Sequence, residues 1–293
     1  MIVIHHRGRL GNALFQYSFG RILAERFGYA LSCHKIRGFS NATPVDGARH
    51  DKRSRVYLTY NNIDRVLSDI KNNKHHRVVM NIGFQQYAFY RDYKEKIRGW
   101  LKPDLQLDRN DLSGLDFREK KDGKFEKIKV DEITDDDIVV MQRLHNFVRF
   151  RMDLKINYFN TILKTASFRR LFITSDDFNS EMLDGFAPYN PIFLFGPPLV
   201  HYSFASLFNK MVMSQSTFCW WIAWMSDATE IYFPFTANGY WSKDRFTRGD
   251  NSRINLVVDD EDRYRYVREY QWEGEYRLER AKDILKLVGI QPK

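Results

Sequence analysis

Short apolar runs alternate with helical patterns along most of this chain, and no other feature constrains the fold as much. The runs lie at Ile2–His5, Val78–Ile82, Ile138–Met141, Leu171–Thr174, Pro191–Phe195 and Ile231–Pro234. Between them stand patterns such as Ala13–Phe27, where apolar residues recur at helical spacing until Gly28. Strands that are separated by helices build parallel sheets. The sequence therefore predicts an α/β fold.

The length of 293 residues predicts more than one domain. We place an N-terminal α/β domain at residues 1–135 and a C-terminal one at 136–260. Residues 261–293 are expected to form a terminal helix that packs back across the domains, because Arg263–Val288 is long and charged. A further helix is predicted for His201–Met213, and the charged turn at residues 120–124 is read as a hairpin tip.

Composition indicates the class of protein but does not indicate which kind of partner it binds. Hydrophobic residues make up 43% and charged residues 28%, which is typical of a soluble globular protein. The formal net charge of +9 attracts nucleic acid, anionic lipid or a phosphorylated substrate alike. The two cysteines, Cys33 and Cys219, are too few for a disulfide framework, and no run reaches the roughly 18 apolar residues of a membrane span. We expect a soluble cytosolic protein, with peripheral membrane contact left open.

A polar run leads directly into a tryptophan-rich one at Ser214–Trp224. Hydroxyl residues at the start of a helix, here Ser216 and Thr217 followed by Phe218, place oxygens and backbone N–H groups where an anion such as phosphate can bind. An N-capped core helix without a ligand explains the same pattern.

Two further segments follow predicted buried strands. Arg143 comes just after Ile138–Met141, and open α/β sheets bind ligands at that edge, where a guanidinium suits a diphosphate. Asp176 and Asp177 come just after Leu171–Thr174 and can accept hydrogen bonds from a ribose or a base. A surface basic cluster including Arg149 and Arg151, and simple N-capping by the aspartates, are the alternatives.

The opening strand runs into a glycine-punctuated loop. Gly8 and Gly11 allow the backbone to approach a ligand at the start of a helix, and Asn12 follows them. The pattern is not the GxGxxG dinucleotide fingerprint, so a tight strand–helix turn remains the alternative.

Four segments, in order, resemble the α-1,2-fucosyltransferase family over residues 3 to about 235. They are Gly8–Tyr17 with Gly20-Arg21, then Ile82–Tyr90, then Phe172–Asp177, and finally Ser214–Trp224. One segment departs from the family pattern. Where the family has His-x-Arg-Arg-Gly-Asp, this chain has Met141-Gln142-Arg143-Leu144-His145-Asn146, so Arg143 is the matching arginine, Met141 stands for the histidine and Asn146 for the aspartate.

The resemblance implies a GT-B fold, with two Rossmann-like domains that face each other across a cleft. It implies an inverting, metal-independent transfer of L-fucose from GDP-fucose to a hydroxyl of a glycan or lipid-linked saccharide acceptor, with no other cofactor and no nucleic-acid partner. The donor would bind at Arg143, Asp176, Asp177, Ser216, Thr217 and Phe218. The loop of Gly8, Gly11 and Asn12 would line the cleft, and Arg143 and His5 are the candidate catalytic residues. A bacterial or viral enzyme of polysaccharide biosynthesis fits this context.

Three alternatives stay open. The altered segment around Arg143 leaves room for another nucleotide-sugar donor. The acidic run Asp259–Asp262 would suit a metal-dependent GT-A transferase, although acidic residues are also common at a helix start. A non-catalytic protein that binds carbohydrate or nucleic acid is the third.

Overall fold

A computed structural model of the protein describes residues 1–47, 55–72, 77–145, 148, 154–235, 254–270 and 275–279. The described part divides into two compact units. The first holds residues 1–104 and 254–256, and the second holds residues 105–235, 257–270 and 275–279. Each unit is built on its own sheet. The predicted α/β class is thereby confirmed.

The first unit is a parallel sheet with helices between its strands. Its strand order is β2-β1-β4-β3, and every neighbouring pair is parallel. The elements in chain order are β1 Ile2–Ile4, α1 Leu10–Phe27, β2 Leu31–Ser32, β3 Arg55–Leu58, α2 Ile63–Lys71, β4 Arg77–Met80 and α3 Lys94–Trp100. Helix α1 ends as predicted, because Gly28 takes a left-handed φ of 68° and its N–H bonds back to Ala24.

The second unit is built on a larger sheet. Its elements in chain order are β5 Asp116–Lys121, β6 Lys124–Ile128, β7 Ile138–Gln142, α4 Ile156–Leu163, β8 Leu171–Ser175, β9 Ile192–Phe195, α5 Pro198–Ala205, β10 Lys210–Met213, α6 Thr217–Met225, β11 Glu230–Phe235, β12 Tyr264–Tyr270 and β13 Glu275–Glu279. A 3₁₀ segment at Glu181–Tyr189 precedes β9.

The strand order of this sheet decides where a ligand can bind. The sheet runs β13-β12-β11-β10-β7-β8-β9-β5-β6. Strands β9, β8, β7, β10, β11 and β12 are parallel to their neighbours in this series, and β5 with β6 and β13 add antiparallel edges. In chain order, the parallel strands therefore follow the 3-2-1-4-5-6 pattern of a doubly wound nucleotide-binding sheet. The chain reverses direction across the sheet between β7 and β10.

Strand β7 is anchored at its amino end by a buried carboxylate. The Asp137 side chain is 0% exposed and accepts hydrogen bonds from Arg169, Arg170 and the Thr134 N–H. Burial raises the pKa of this carboxyl, but the hydrogen bonds outweigh burial and hold the pKa at about 2. An ionised, paired carboxylate thus fixes the start of the central strand.

Three organisational predictions were wrong. The boundary lies near residue 104 rather than 135, because the β5–β6 hairpin pairs with β9 in the second sheet. The helix predicted for His201–Met213 ends at Ala205, and Lys210–Met213 is strand β10, held between β7 and β11. The terminal helix predicted from residue 263 is strand β12 over Tyr264–Tyr270, which pairs in parallel with β11 and antiparallel with β13. Residues 280–293 lie outside the described residues.

The predicted hairpin tip is confirmed. Asp122 and Gly123 both have positive φ angles, 49° and 78°, as a two-residue turn between antiparallel strands requires.

Candidate functional site

The site begins where two neighbouring parallel strands end. Met141 of β7 is in register with Met213 of β10, so the residues that follow, Arg143 and Ser214, leave the same edge of the sheet side by side. The Ser214 N–H donates to the Met141 carbonyl over 3.1 Å and continues the pairing past the strand end. This edge is the point of topological reversal, where doubly wound sheets hold their ligands.

Ser216 caps helix α6 at this edge. Its backbone is extended, its Oγ accepts from the Phe218 N–H over 3.2 Å, and its carbonyl accepts from the Trp220 N–H over 2.9 Å. The hydroxyl oxygen is therefore engaged as an acceptor, and Ser216 itself is only 3% exposed. Thr217 and Phe218 in the first turn are half-buried. The positive end of the helix dipole lies at the same place.

The rest of α6 is locked into the core. The rings of Trp220, Trp221 and Trp224 are 0% exposed and lie 5.0–5.6 Å apart in mutual contact. At the far end, the Arg263 guanidinium donates to the carbonyls of Trp224, Ser226 and Ala228. The buried rings and the Arg263 contacts fix the direction of α6, and with it the direction of its amino-terminal N–H groups.

Arg143 is held by Asp176. The Arg143 Nη1 lies 2.5 Å from Asp176 Oδ2, and the Leu144 N–H donates to the other carboxylate oxygen over 2.7 Å. Both side chains are mostly covered, at 16% and 21% exposure. A carboxylate that bridges a guanidinium and the next backbone N–H sets the direction of the arginine. Asp176 thus contacts Arg143, in addition to any role toward a nucleoside.

Asp177 shapes the turn after β8. Its Oδ1 accepts from the Asn179 N–H over 3.0 Å, and Ser175 Oγ bonds to both its N–H and its carbonyl. Side chains of aspartate and serine hold turns in this way. Asp177 therefore stabilises a turn with one carboxylate oxygen, rather than capping a helix.

The other residues of the altered segment differ in burial. Met141 is 2% exposed within β7, so the position that carries histidine in the resembling family is filled here by an apolar core side chain. His145 is exposed. Asn146, Arg149 and Arg151 lie outside the described residues.

Two buried polar residues near this edge were missed by sequence reasoning. Gln142, the last residue of β7, is 3% exposed, and its Nε2 lies 2.9 Å from Met182 Sδ. His201 in α5 is 7% exposed and bonds through Nε2 to the Leu194 carbonyl over 3.2 Å. Burial lowers the pKa of His201 to about 4, and the charge of Asp176 acts in the opposite direction. The sequence signal that could have indicated His201 is a histidine in the helix directly after a predicted buried strand.

In the first unit, the structure brings His5, Gly8, Gly11 and Asn12 to the carboxyl edge of its sheet. His5 is exposed just after β1, and its N–H donates to the Met80 carbonyl over 2.9 Å. Gly8 has φ +84°, a backbone conformation that favours glycine, and a Cβ there would also lie 2.3 Å from Asn12 Nδ2. Asn12 Oδ1 accepts from Gln85 Nε2 over 3.1 Å, which joins the first two resembling segments.

A cavity of about 610 Å³ opens at the other edge of the second sheet. It lies between the β5–β6 hairpin and the residues just before β9, among them Asn190 and Pro191. It is therefore distant along the strands from Arg143.

Among the described residues, no three His, Cys, Asp or Glu side chains are grouped so that they can hold a metal ion. The acidic run at Asp259–Asp262 leads into strand β12, and Glu261 pairs with Arg263 over 2.5 Å. Within the same part of the chain, none of the helices has both the length and the apolarity that membrane crossing requires.

Comparison with known proteins finds only remote likeness. No protein-family model and no curated protein matches the chain. The fucosyltransferase NodZ from Bradyrhizobium is 10% identical with a TM-score of 0.39, over 96% of this chain and 98% of that one. Its selenomethionine form is 11% identical at a TM-score of 0.40, covering 95% and 98%. A NodZ alpha-1,6-fucosyltransferase soaked with GDP-fucose is 11% identical at 0.38, covering 95% and 98%. Likeness at this level decides neither fold nor function, which depend here on the chain's own strands and side chains.

Proposed function

We propose that the protein is an inverting glycosyltransferase that transfers L-fucose from GDP-fucose to a hydroxyl of a glycan acceptor. One observation carries the proposal. At the reversal point of a sheet with the strand order of nucleotide-binding folds, Arg143 and the Ser216-capped helix leave adjacent parallel strands. A guanidinium and a helix amino terminus are the two groups best suited to a diphosphate.

The chemistry follows from charge. When the bond between the sugar C1 and the phosphate oxygen breaks, negative charge grows on the departing diphosphate. Arg143 and the N–H groups at the start of α6 would stabilise that charge without a metal ion. The acceptor hydroxyl attacks the opposite face of C1, which inverts the configuration, and its proton passes to a base. We assign that role to His5, which is exposed at the end of β1.

Binding of GDP tests the donor site directly. Isothermal titration of the full chain should show a complex with GDP, and Arg143→Ala should weaken it by about 10²-fold, since a charge-assisted contact contributes roughly 1.5–3 kcal/mol. Arg91→Ala, which changes an exposed cation of the first unit, is the matched control and should leave the affinity unchanged. If GDP does not bind at millimolar concentration, the proposal is wrong.

Turnover tests the remaining parts of the proposal. GDP-fucose hydrolysis or transfer should survive EDTA, and His5→Ala should lower kcat by about 10²–10⁴-fold with little change in GDP affinity. An activity that EDTA abolishes would favour the metal-dependent alternative. Absence of turnover with every donor, together with a gel shift on DNA or RNA, would favour a binding protein.

A different donor is the second candidate function, and Met141 favours it. The position that carries histidine in the resembling family is a buried apolar side chain here, so a contact that the family makes from it is lost. Comparing hydrolysis of GDP-fucose with that of UDP-glucose and GDP-mannose distinguishes the two candidates.

A further inference from the structure

The carboxyl edge of the first sheet carries no carboxylate in the segments that directly follow its strands. Residues 5–9, 33–45, 59–62 and 81–86 contain no Asp or Glu. Positive and imidazole side chains collect there instead, in a group that we call the basic rim: His5, His6, Arg7, Arg9, His34 and Lys35. All are exposed except His6, which is half-buried.

The two loops that form the basic rim lie side by side. They follow β1 and β2, which are parallel with Val3 opposite Ser32. Neighbouring strands lie about 4.8 Å apart. His6 Nε2 lies 3.1 Å from the His34 carbonyl, so the loops stay in contact beyond the strands. The rim is therefore a compact patch rather than a stripe.

The first loop of the rim is held rigidly from below. Gln16 of α1 is 1% exposed, its Oε1 accepts from the Arg7 N–H over 3.0 Å, and its Nε2 donates to the Arg7 carbonyl over 3.4 Å. Gly8 follows with φ +84°. The two hydrogen bonds from the buried Gln16 amide fix the backbone of Arg7. The entropy cost of ordering this loop when a ligand binds is therefore small.

Arg7 and Lys35 of the rim differ from other cations of the first unit in their partners. Elsewhere on the first unit cations form ion pairs with carboxylates, as Arg21 and Lys96 both do with Glu25. In the part of the chain that the structure describes, no carboxylate forms an ion pair with Arg7 or Lys35. Asp104 contacts the segment after β2, but its carboxylate accepts from the Ser40 N–H. A bound anion would relieve this accumulation of positive charge.

Two more features point to an anion. Helix α1 begins beside the rim with no acidic residue in its first turn and no side-chain cap. The pKa of His6 is lowered, first by burial and last by the charge of His34, while hydrogen bonds to the His34 carbonyl and to Gln16 act in the opposite direction.

We propose that the basic rim binds a phosphate group carried by the acceptor, so that the acceptor is a phosphorylated saccharide. Arginine forks and a lysine suit the oxygens of a phosphomonoester or diphosphate. A patch confined to two adjacent loops suits one such group, whereas nucleic acid requires cations spread along many phosphates. That this phosphate belongs to an acceptor rests on the proposed function, while the phosphate site is a property of the first unit.

Titration of the full chain with glucose 1-phosphate tests the rim. The measurement is made in saturating GDP, so that the diphosphate site is filled. Glucose 1-phosphate should bind, unphosphorylated glucose should bind at least tenfold more weakly, and added salt should weaken the phosphate complex. Arg7→Ala with Lys35→Ala should weaken it at least tenfold, and because both side chains are exposed the fold should be retained, as circular dichroism would show.

The matched control removes two other exposed cations of the first unit. Arg26→Ala with Lys71→Ala makes the same change in net charge at the far ends of α1 and α2 and should alter the affinity less than twofold. Equal weakening in both double variants would reduce the effect to overall charge and overturn the proposal. Equal binding of glucose and glucose 1-phosphate would do the same.

Other polyanions give distinct outcomes. If the rim double variant loses binding to phosphatidylglycerol vesicles or to a single-stranded DNA oligonucleotide while glucose 1-phosphate does not bind, the rim serves a membrane or a nucleic acid and the proposal fails. The proposals for the rim and for the donor site can also be contradicted independently of each other. Arg143→Ala should leave glucose 1-phosphate binding intact, and the rim double variant should leave GDP binding intact.

Discussion

At the scale of single residues, the candidate site depends on how Arg143 is directed. A free guanidinium after a strand end would sample many rotamers. Here one oxygen of the Asp176 carboxylate pairs with the Arg143 guanidinium over 2.5 Å, and the other accepts from the Leu144 N–H over 2.7 Å. Asp176 therefore acts as a positioning residue in the proposed donor site, because it reaches the diphosphate through the arginine.

Asp176→Asn tests this positioning role. The amide keeps the shape and can still accept from Leu144, but it loses the ionic contact with Arg143. We expect GDP affinity to fall about 5–30-fold, as loss of a charge-assisted hydrogen bond of roughly 1–2 kcal/mol would require. Asp131→Asn is the matched control, since this exposed carboxylate pairs with Lys129, and it should change GDP affinity less than threefold. Tighter GDP binding by Asp176→Asn would mean that the carboxylate competes with phosphate for Arg143.

At the scale of secondary-structure elements, α6 is the part of the site with a defined direction. Its tryptophans fill the core, Arg263 satisfies carbonyls at its carboxyl end, and Ser216 caps its amino end. A helix that is fixed along its length presents its first N–H groups to a ligand with little reorganisation.

Ser216→Ala removes the side-chain cap. The Phe218 N–H then loses its acceptor, which should cost about 1 kcal/mol of unfolding free energy and lower Tm by about 2–4 °C. Calorimetry with and without GDP measures both the stability and the ligand effect. Ser216→Asn should restore most of the loss, because asparagine caps equally well. A Ser216→Ala protein with unchanged Tm and unchanged GDP affinity would show that the cap contributes to neither.

At the scale of the whole molecule, the charge state of buried groups links stability to pH. His201 is buried beneath the carboxyl edge of the second sheet, and its pKa is lowered to about 4 from an ordinary value of 6.5. The unfolded chain therefore binds a proton at this residue before the folded chain does. The stability that the neutral imidazole contributes is present above pH 6.5 and is lost as the pH falls from 6.5 toward 4.

His201→Gln should flatten that part of the pH profile. Wild type should lose up to about 3 kcal/mol of unfolding free energy between pH 6.5 and pH 4 through this residue, which chemical denaturation at several pH values measures. The variant should lose correspondingly less over the same window, whatever its stability at pH 7. His145→Gln, the same substitution at an exposed position, should keep the wild-type slope. Identical slopes in all three proteins would contradict the assignment.

Local patterns determined the class of fold and the identity of most candidate residues. Buried runs between helical stretches predicted parallel sheets. The polar residues Arg143 and Asp176, which follow such runs, were predicted for a ligand edge, and Ser216 was predicted to begin a helix that binds an anion. These features depend on neighbouring residues in the chain, so they can be read from the sequence directly. The same local reading failed at Lys210–Met213 and Tyr264–Tyr270, which are strands because distant strands pair with them.

Only the tertiary structure decided which candidates meet. Strand β10 lies beside β7 after two intervening strands, and this reversal places Ser214 beside Met141, so the segments that carry Ser216 and Arg143 leave neighbouring strand ends. The pairing of Arg143 with Asp176, the burial of His201 and the grip of Gln16 on Arg7 likewise depend on contacts between separate elements. Strand order is fixed by the free energy of packing the whole sheet, which no short stretch of residues contains.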